Sequence, residues 1–279
     1  MARIVGGLGI SHSPSMGLEY DRGLAKGFAP RWQVWFDGTR PVKDWVARLA
    51  PTMLVVVYND HMSHFSFEAY PTLAIGVAET YPQADEGWGT RAIPDLKGDV
   101  DFSWKLTEGL VARDFDLTVC QELKVDHGIY SWVPYLFDLP CPVPIVPIAV
   151  NMMRAPLPSS RRLRDLGRAI RATCADIDRE ERILVVATGG MSHQISGARF
   201  GIANEDLDRH FLRELPENME ELVAIPQTEL MRLGGTEAAE LSMWFSMRAA
   251  LSNDARAAYD FYTFPQITGC GVLAMEEPT

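Results

Sequence analysis

Met53-Leu54-Val55-Val56-Val57-Tyr58 is an unbroken apolar run, preceded by Pro51 and closed by Asn59-Asp60-His61. A run this short, β-branched at its centre and without polar alternation, reads as a strand buried on both faces. Such a strand needs helices above and below it, which constrains the chain to an α/β layer fold. His61 then falls at the strand's carboxyl end, the edge at which open α/β sheets bind ligands. The arrangement recurs. Arg3 to Ile10 leads into Ser11-His12-Ser13-Pro14, and Ile183 to Thr188 leads into Gly189-Gly190-Met191-Ser192-His193, so three of the six histidines follow strand-like runs.

Thr72 to Val77, Leu117 to Val119, Pro144 to Val150 and Gly271 to Met275 supply further strands. The two prolines of the 144–150 run favour an edge position or an irregular ladder. Helices are expected over Pro41 to Leu49, over Phe102 to Arg113, from His127 through the aromatic stretch to Phe137, and over Ser159 to Ile177, with short ones in 204–232. Residues 14 to 40 show no clean period and read as an irregular segment covering a site; 79 to 98 reads as a loop. A longer helix over Glu237 to Leu251 has Thr236 as its expected N-cap. Strands and helices alternate without a repeat or a dividing linker. The expected fold is therefore α/β, a single domain over residues 1–279, with a central mostly parallel mixed sheet flanked by helices and a metal site at the strand carboxyl ends.

Charge narrows the partners. A formal net charge of −11 opposes binding to a nucleic-acid backbone or an anionic membrane. Cys120, Cys141, Cys174 and Cys270 are widely spaced without a C-x-x-C pair, which suits free thiols in a reducing cytosol. With no signal-peptide pattern and no membrane-length apolar run, the expected location is cytoplasmic.

On the 237–251 helix, positions 240, 243, 244, 247 and 251 share a face, occupied by Glu240 among Met243, Trp244, Met247 and Leu251. A carboxylate there must be neutralised, hydrogen-bonded or bound to a metal. A buried pair with Arg or Lys and a metal ligand are equally good readings of that observation. Glu237, at the first helical turn, is accounted for by the helix dipole. His12, His61 and Glu240 together would form a 2-His-1-carboxylate set, used by non-haem iron(II) and by zinc hydrolases. His193, after a flexible Gly-Gly turn, suits acid-base work, because imidazole ordinarily ionises near neutral pH. His127 reads equally as a second hydrogen bond to a ligand or as a core contact, while His64 and His210 sit in polar surroundings and read as surface residues. The arginines of the 159–177 helix read as a solvated outer face. Gly6-Gly7-Leu8-Gly9 lacks dinucleotide-fingerprint spacing, and no Walker loop or G-x-S-x-G elbow is present.

These residues stand in segments that resemble the class III, or LigB-like, extradiol ring-cleavage dioxygenases: Ser11-His12-Ser13-Pro14, Val57 to His61, Ala84-Asp85-Glu86-Gly87-Trp88-Gly89, Val125-Asp126-His127-Gly128, Thr188 to Gln194 and Glu237 to Trp244. They span most of the chain, in family order. The resemblance implies Fe(II) held by His12, His61 and Glu240, O2 as co-substrate, His193 as the catalytic acid-base, and His127 in contact with the substrate's hydroxyl or the oxygen intermediates. It implies a catecholic substrate such as protocatechuate, gallate or a methylated relative. Where relatives that bind protocatechuate carry a Ser-Asn pair after a C-terminal proline, this chain has Pro265-Gln266-Ile267-Thr268. Ile267 and Thr268 become the substrate-contacting pair, and protocatechuate itself is disfavoured. No segment resembles the family's small covering subunit, so the lid is expected to be a separate small chain, a second copy of this one, or absent, with a homodimer the expected assembly. Two other classes share the residues: a zinc hydrolase with the same ligands, and a non-catalytic scaffold, which has no physical need for Glu240 on an apolar face.

Overall fold

The computed structural model describes residues 1–278. Among the described residues ten strands form: β1 Ala2–Ile10, β2 Met53–Asn59, β3 Leu73–Gly76, β4 Thr80–Tyr81, β5 Leu96–Lys97, β6 Thr118–Cys120, β7 Ile145–Val150, β8 Glu181–Thr188, β9 Arg256–Thr263 and β10 Cys270–Glu276. Eight of them build one twisted mixed sheet in the order β6-β3-β7-β2-β8-β1-β10-β9. The central four, β7, β2, β8 and β1, are mutually parallel, and antiparallel strands close the β10-β9 side. β2 is buried along its whole length. Its residues alternate between two cores: Met53, Val55 and Val57 pack on one face, and Leu54, Val56 and Tyr58 on the other.

Helices cover both faces, as a sheet apolar on both sides requires. The main ones are α1 Pro14–Lys26, α2 Pro30–Leu49, α3 Val100–Val111, the single turns α4 His127–Tyr130 and α5 Val133–Leu136, then α6 Ser160–Asp176, α7 Glu205–Glu214, α8 Met219–Ala224, α9 Gln227–Gly234 and α10 Trp244–Ala250.

Several expectations are corrected. Residues 14 to 40 are helical: Ser13 caps α1 by accepting the Met16 N–H, and α2 runs from Pro30 straight through Pro41. Trp32, Trp35, Phe36, Thr39, Val42, Trp45 and Val46 form its buried face. Pro41 and Asp37, whose carbonyl would have accepted the missing N–H, both lie on the exposed side, where an unmade bond costs least. β7 is interior, between β3 and β2. The ladder to β3 ends at Ile75↔Ile148, one residue short of Pro147, and a Cβ at Gly76 would stand 2.8 Å from the Pro147 ring. A missing donor and a missing side chain thus meet at one point. The stretch from His127 to Phe137 is two separate turns instead of one helix. β9 carries no strict alternation and was not anticipated.

The 237–251 segment is also not one α-helix. A 3-10 helix, Thr236–Met243, precedes α10, and Thr236 does not cap it; its hydroxyl donates to Glu237. Beneath α10, β1 is glycine-rich. A Cβ at Gly9 would overlap the Trp244 ring, and one at Gly7 would crowd Met247. The Gly-Gly-Leu-Gly stretch lets α10 lie directly on the sheet.

Candidate metal centre and active site

His12 follows the end of β1, His61 follows β2, and β8 runs between those strands. The 3-10 helix lowers Glu240 onto the same edge. Its Oε2 lies 3.5 Å from His12 Nε2 and its Oε1 3.3 Å from His61 Nε2. Neighbouring ligands of an octahedral ion bound at about 2.1 Å are about 3 Å apart, so this spacing suits a small divalent cation.

Each ligand candidate is oriented from behind. His12 Nδ1 is hydrogen-bonded to Thr188 Oγ1 at 2.9 Å, and its Nε2 is buried without a hydrogen-bond partner. His61 Nδ1 donates to Asp126 Oδ2 at 3.0 Å, and the His61 backbone N–H donates to the same oxygen at 2.7 Å. Glu240 accepts from Asn59 Nδ2 at 2.9 Å and from the Gly190 N–H at 2.7 Å. An orphaned imidazole nitrogen facing a buried carboxylate and a second imidazole is chemically suited to a divalent cation, with a carboxylate-histidine pair behind it.

The charges agree. Burial alone would raise the Glu240 pKa, yet His12 and His61 beside it hold it well below the usual carboxylate range. Burial opposes charge on His61, but Asp126 and Glu240 outweigh it and hold its pKa well above the ordinary imidazole value. Asp126 is itself buried, and His61 is the main influence that keeps it ionised. Asp60 is different: burial, then repulsion from Asp126, pushes it up to about 6, while it accepts the backbone N–H groups of Ser63, His64 and Phe65 and so shapes the turn after His61.

His127 packs against His61 with ring centroids 4.0 Å apart and the rings tilted by 33°. Its Nδ1 meets Glu86 Oε1 at 2.5 Å and its backbone N–H donates to Glu86 Oε2. His12, His61 and His127 themselves come within metal-binding reach of one another. Burial, then the neighbouring His61, lowers the His127 pKa. His193 Nδ1 donates to the Met191 carbonyl at 2.8 Å; since a carbonyl only accepts, the hydrogen is on Nδ1 and Nε2 is left to face the cleft. Thr268 pairs with His193 across an antiparallel bridge.

His12, His61, Glu240, His127 and His193, with Ile267 and Thr268, line one cleft of about 1200 Å³. Met152, Met153, Leu157, Ile195 and Met231 form its apolar wall. Glu237 also lines it, although nothing in the sequence pointed there. His64 and His210 are exposed, as expected. Thr188, Asn59, Asp126 and Glu86 were missed as site residues. All four stand inside the motifs named in the sequence, which was their only signal.

The chain belongs to the family described as the catalytic LigB subunit of aromatic ring-opening dioxygenase, which matches residues 6–272. Among individual proteins it is similar to gallate dioxygenase of Pseudomonas putida, at 35% identity over 197 residues, covering 69% of this chain and 57% of that one. It is also similar to 2,3-dihydroxyphenylpropionate/2,3-dihydroxicinnamic acid 1,2-dioxygenase of Rhodococcus jostii, at 29% identity over 194 residues, covering 70% of this chain and 58% of that one. The chain spans about half the length of the curated relatives it matches. A solved structure of an uncharacterized Escherichia coli K12 protein shares the fold, with a TM-score of 0.51, 13% identity, and 98% and 100% of the two chains covered.

Proposed function

We propose that residues 1–279 form one catalytic domain that opens the ring of a catechol between a hydroxylated and a neighbouring carbon, inserting both atoms of O2, with Fe(II) held by His12, His61 and Glu240. The observation that carries this reading is the convergence of two Nε2 atoms and a buried carboxylate, each backed by its own hydrogen bond. Fe(II) bound there would supply a centre for electron exchange between catechol and O2. The chain's own residues do the rest. His193 Nε2 is placed to take a proton from a substrate hydroxyl and to return it during ring opening. His127, steadied by Glu86, hydrogen-bonds a hydroxyl or reacting oxygen. Ile267 and Thr268 contact the ring substituent, and the methionine-rich wall adapts to it.

Among the described residues no helix is long and apolar enough to cross a membrane. Four buried free cysteines fit a reducing cytoplasm. Met62, Trp88 and Ile195 line the cleft and are exposed, which suits cover by a second copy or a small lid chain. The test is oxygen uptake after anaerobic reconstitution with Fe(II), measured with protocatechuate, gallate, 3-O-methylgallate and carboxylate-free catechols. Activity with zinc as the only metal, and no oxygen consumed, would replace this reading with a hydrolase.

A further inference from the structure

We propose that Asp208, a buried carboxylate on α7 outside every motif described above, is a positioning residue that sets the orientation of His193. The proposal rests on the acid-base reading of His193. Two loops meet at this point: the Met191 N–H donates to the Gly269 carbonyl and the Gly269 N–H to the Ser192 carbonyl, both at 3.0 Å, beside the His193–Thr268 bridge. Asp208 sits beneath that junction. Its Oδ1 accepts the Ser192 N–H at 2.8 Å, and its Oδ2 accepts the Ser192 hydroxyl at 2.6 Å and the Tyr262 hydroxyl at 2.9 Å. Ser192 Oγ in turn accepts the N–H of Asn204, the cap of α7, at 2.6 Å. A Cβ at Gly269 would strike the Asp208 carboxylate.

The arrangement is costly, and the cost argues for a role. Asp208 is fully buried, and its partners Ser192 and Tyr262 are all neutral donors. Burial outweighs those bonds and raises its pKa to about 6. A side chain serving packing alone would be better apolar. What the carboxylate does is pin residue 192 at its N–H and its hydroxyl. The Met191 carbonyl, which belongs to the peptide joining 191 to that N–H, is thereby fixed in direction. That carbonyl holds Nδ1 of His193, so the chain of contacts runs from Asp208 to the tautomer and aim of the imidazole.

The experiment uses the full chain with Asp208→Ala, Asp208→Asn and Tyr262→Phe. On metal-free protein, ¹⁵N NMR of the His193 ring should show one neutral tautomer, hydrogen on Nδ1, in wild type, and a mixture of both tautomers in Asp208→Ala and Asp208→Asn. Tyr262→Phe, which removes one donor and keeps the core shape, should shift the ratio in the same direction by less. In iron-loaded protein, kcat should fall roughly 10- to 100-fold, with KM and iron content unchanged, as expected for a misaimed group. In a His193→Ala background, Asp208→Ala should change kcat less than twofold. An unchanged tautomer in the variants that fold, or an equal loss in both backgrounds, overturns the proposal. Should wild type consume no oxygen, the ring-cleavage reading fails while the NMR result still decides the positioning role.

Discussion

Asp126 receives both the backbone N–H and the ring Nδ1–H of His61, at 2.7 and 3.0 Å, through a single carboxylate oxygen. The residue after β2 is thus fixed in position and tautomer together, and Nε2 is aimed at Glu240. Asp126→Asn keeps the shape but offers a neutral partner. Metal affinity should fall by about 10- to 100-fold, as is usual for the outer partner of a metal-bound histidine. Competition with a chelator of known affinity measures it, and equal affinity in variant and wild type would remove Asp126 from the site.

Glu240 and Glu237 lie three residues apart on the same 3-10 helix, yet only Glu240 reaches the imidazoles. Glu240→Ala, His12→Ala and His61→Ala should each lose iron, whereas Glu237→Ala should retain it. Iron analysis of the purified variants decides, and normal occupancy in Glu240→Ala would overturn the assignment.

His193→Ala and His193→Phe should fold and bind iron normally but turn over about 10²- to 10⁴-fold more slowly, the usual loss for a positioned acid-base group. Loss of iron along with activity would make His193 a ligand.

Ile267 stands on the cleft wall beside Thr268. An apolar side chain there cannot hydrogen-bond a ring carboxylate and adds to the cost of desolvating one. Ile267→Ser should raise the kcat/KM ratio of protocatechuate to a carboxylate-free catechol. A ratio that does not move would show that the anion is held elsewhere in the cleft.

Asp208 also predicts a pH effect with a definite sign. Its folded pKa of about 6 lies above the ordinary 3.8. Its favourable contribution to stability is therefore fully present below about pH 4 and lost as pH rises through about 6, because the folded state binds the extra proton in that window. Asp208→Asn should flatten the fall in stability between those values. Denaturant midpoints measured across pH 4 to 7 test this, and parallel curves for wild type and variant would contradict it.

How much of this was legible differs residue by residue. His12, His61 and His193 showed themselves because unbroken apolar runs end just before them, and a strand's end is a local property. Glu240 showed itself by its apolar neighbours, a facial argument that survived even though the helix proved to be 3-10 before it became α. Thr188 and Asn59 could not be read as partners, since their contacts with His12 and Glu240 depend on the registers of β1, β2 and β8. Residues 14 to 40 are helical without a clean apolar period, because their glycines and aromatics blur it, and Pro41 reads as a helix start in sequence. Only the tertiary position of its exposed side shows why the helix continues through it.

The bare backbone at Gly9 carries a consequence for engineering. Trp244 rests where a side chain at position 9 would be, and Glu240 stands one helical turn before Trp244 on the same continuous segment. The height of the carboxylate above the sheet is therefore set by an absent methyl group on a neighbouring strand. Gly9→Ala would act as a shim, lifting the helix and widening the gap between Glu240 and the two imidazoles, so that the hold on a cation proposed there would loosen from beneath with every cleft residue left untouched.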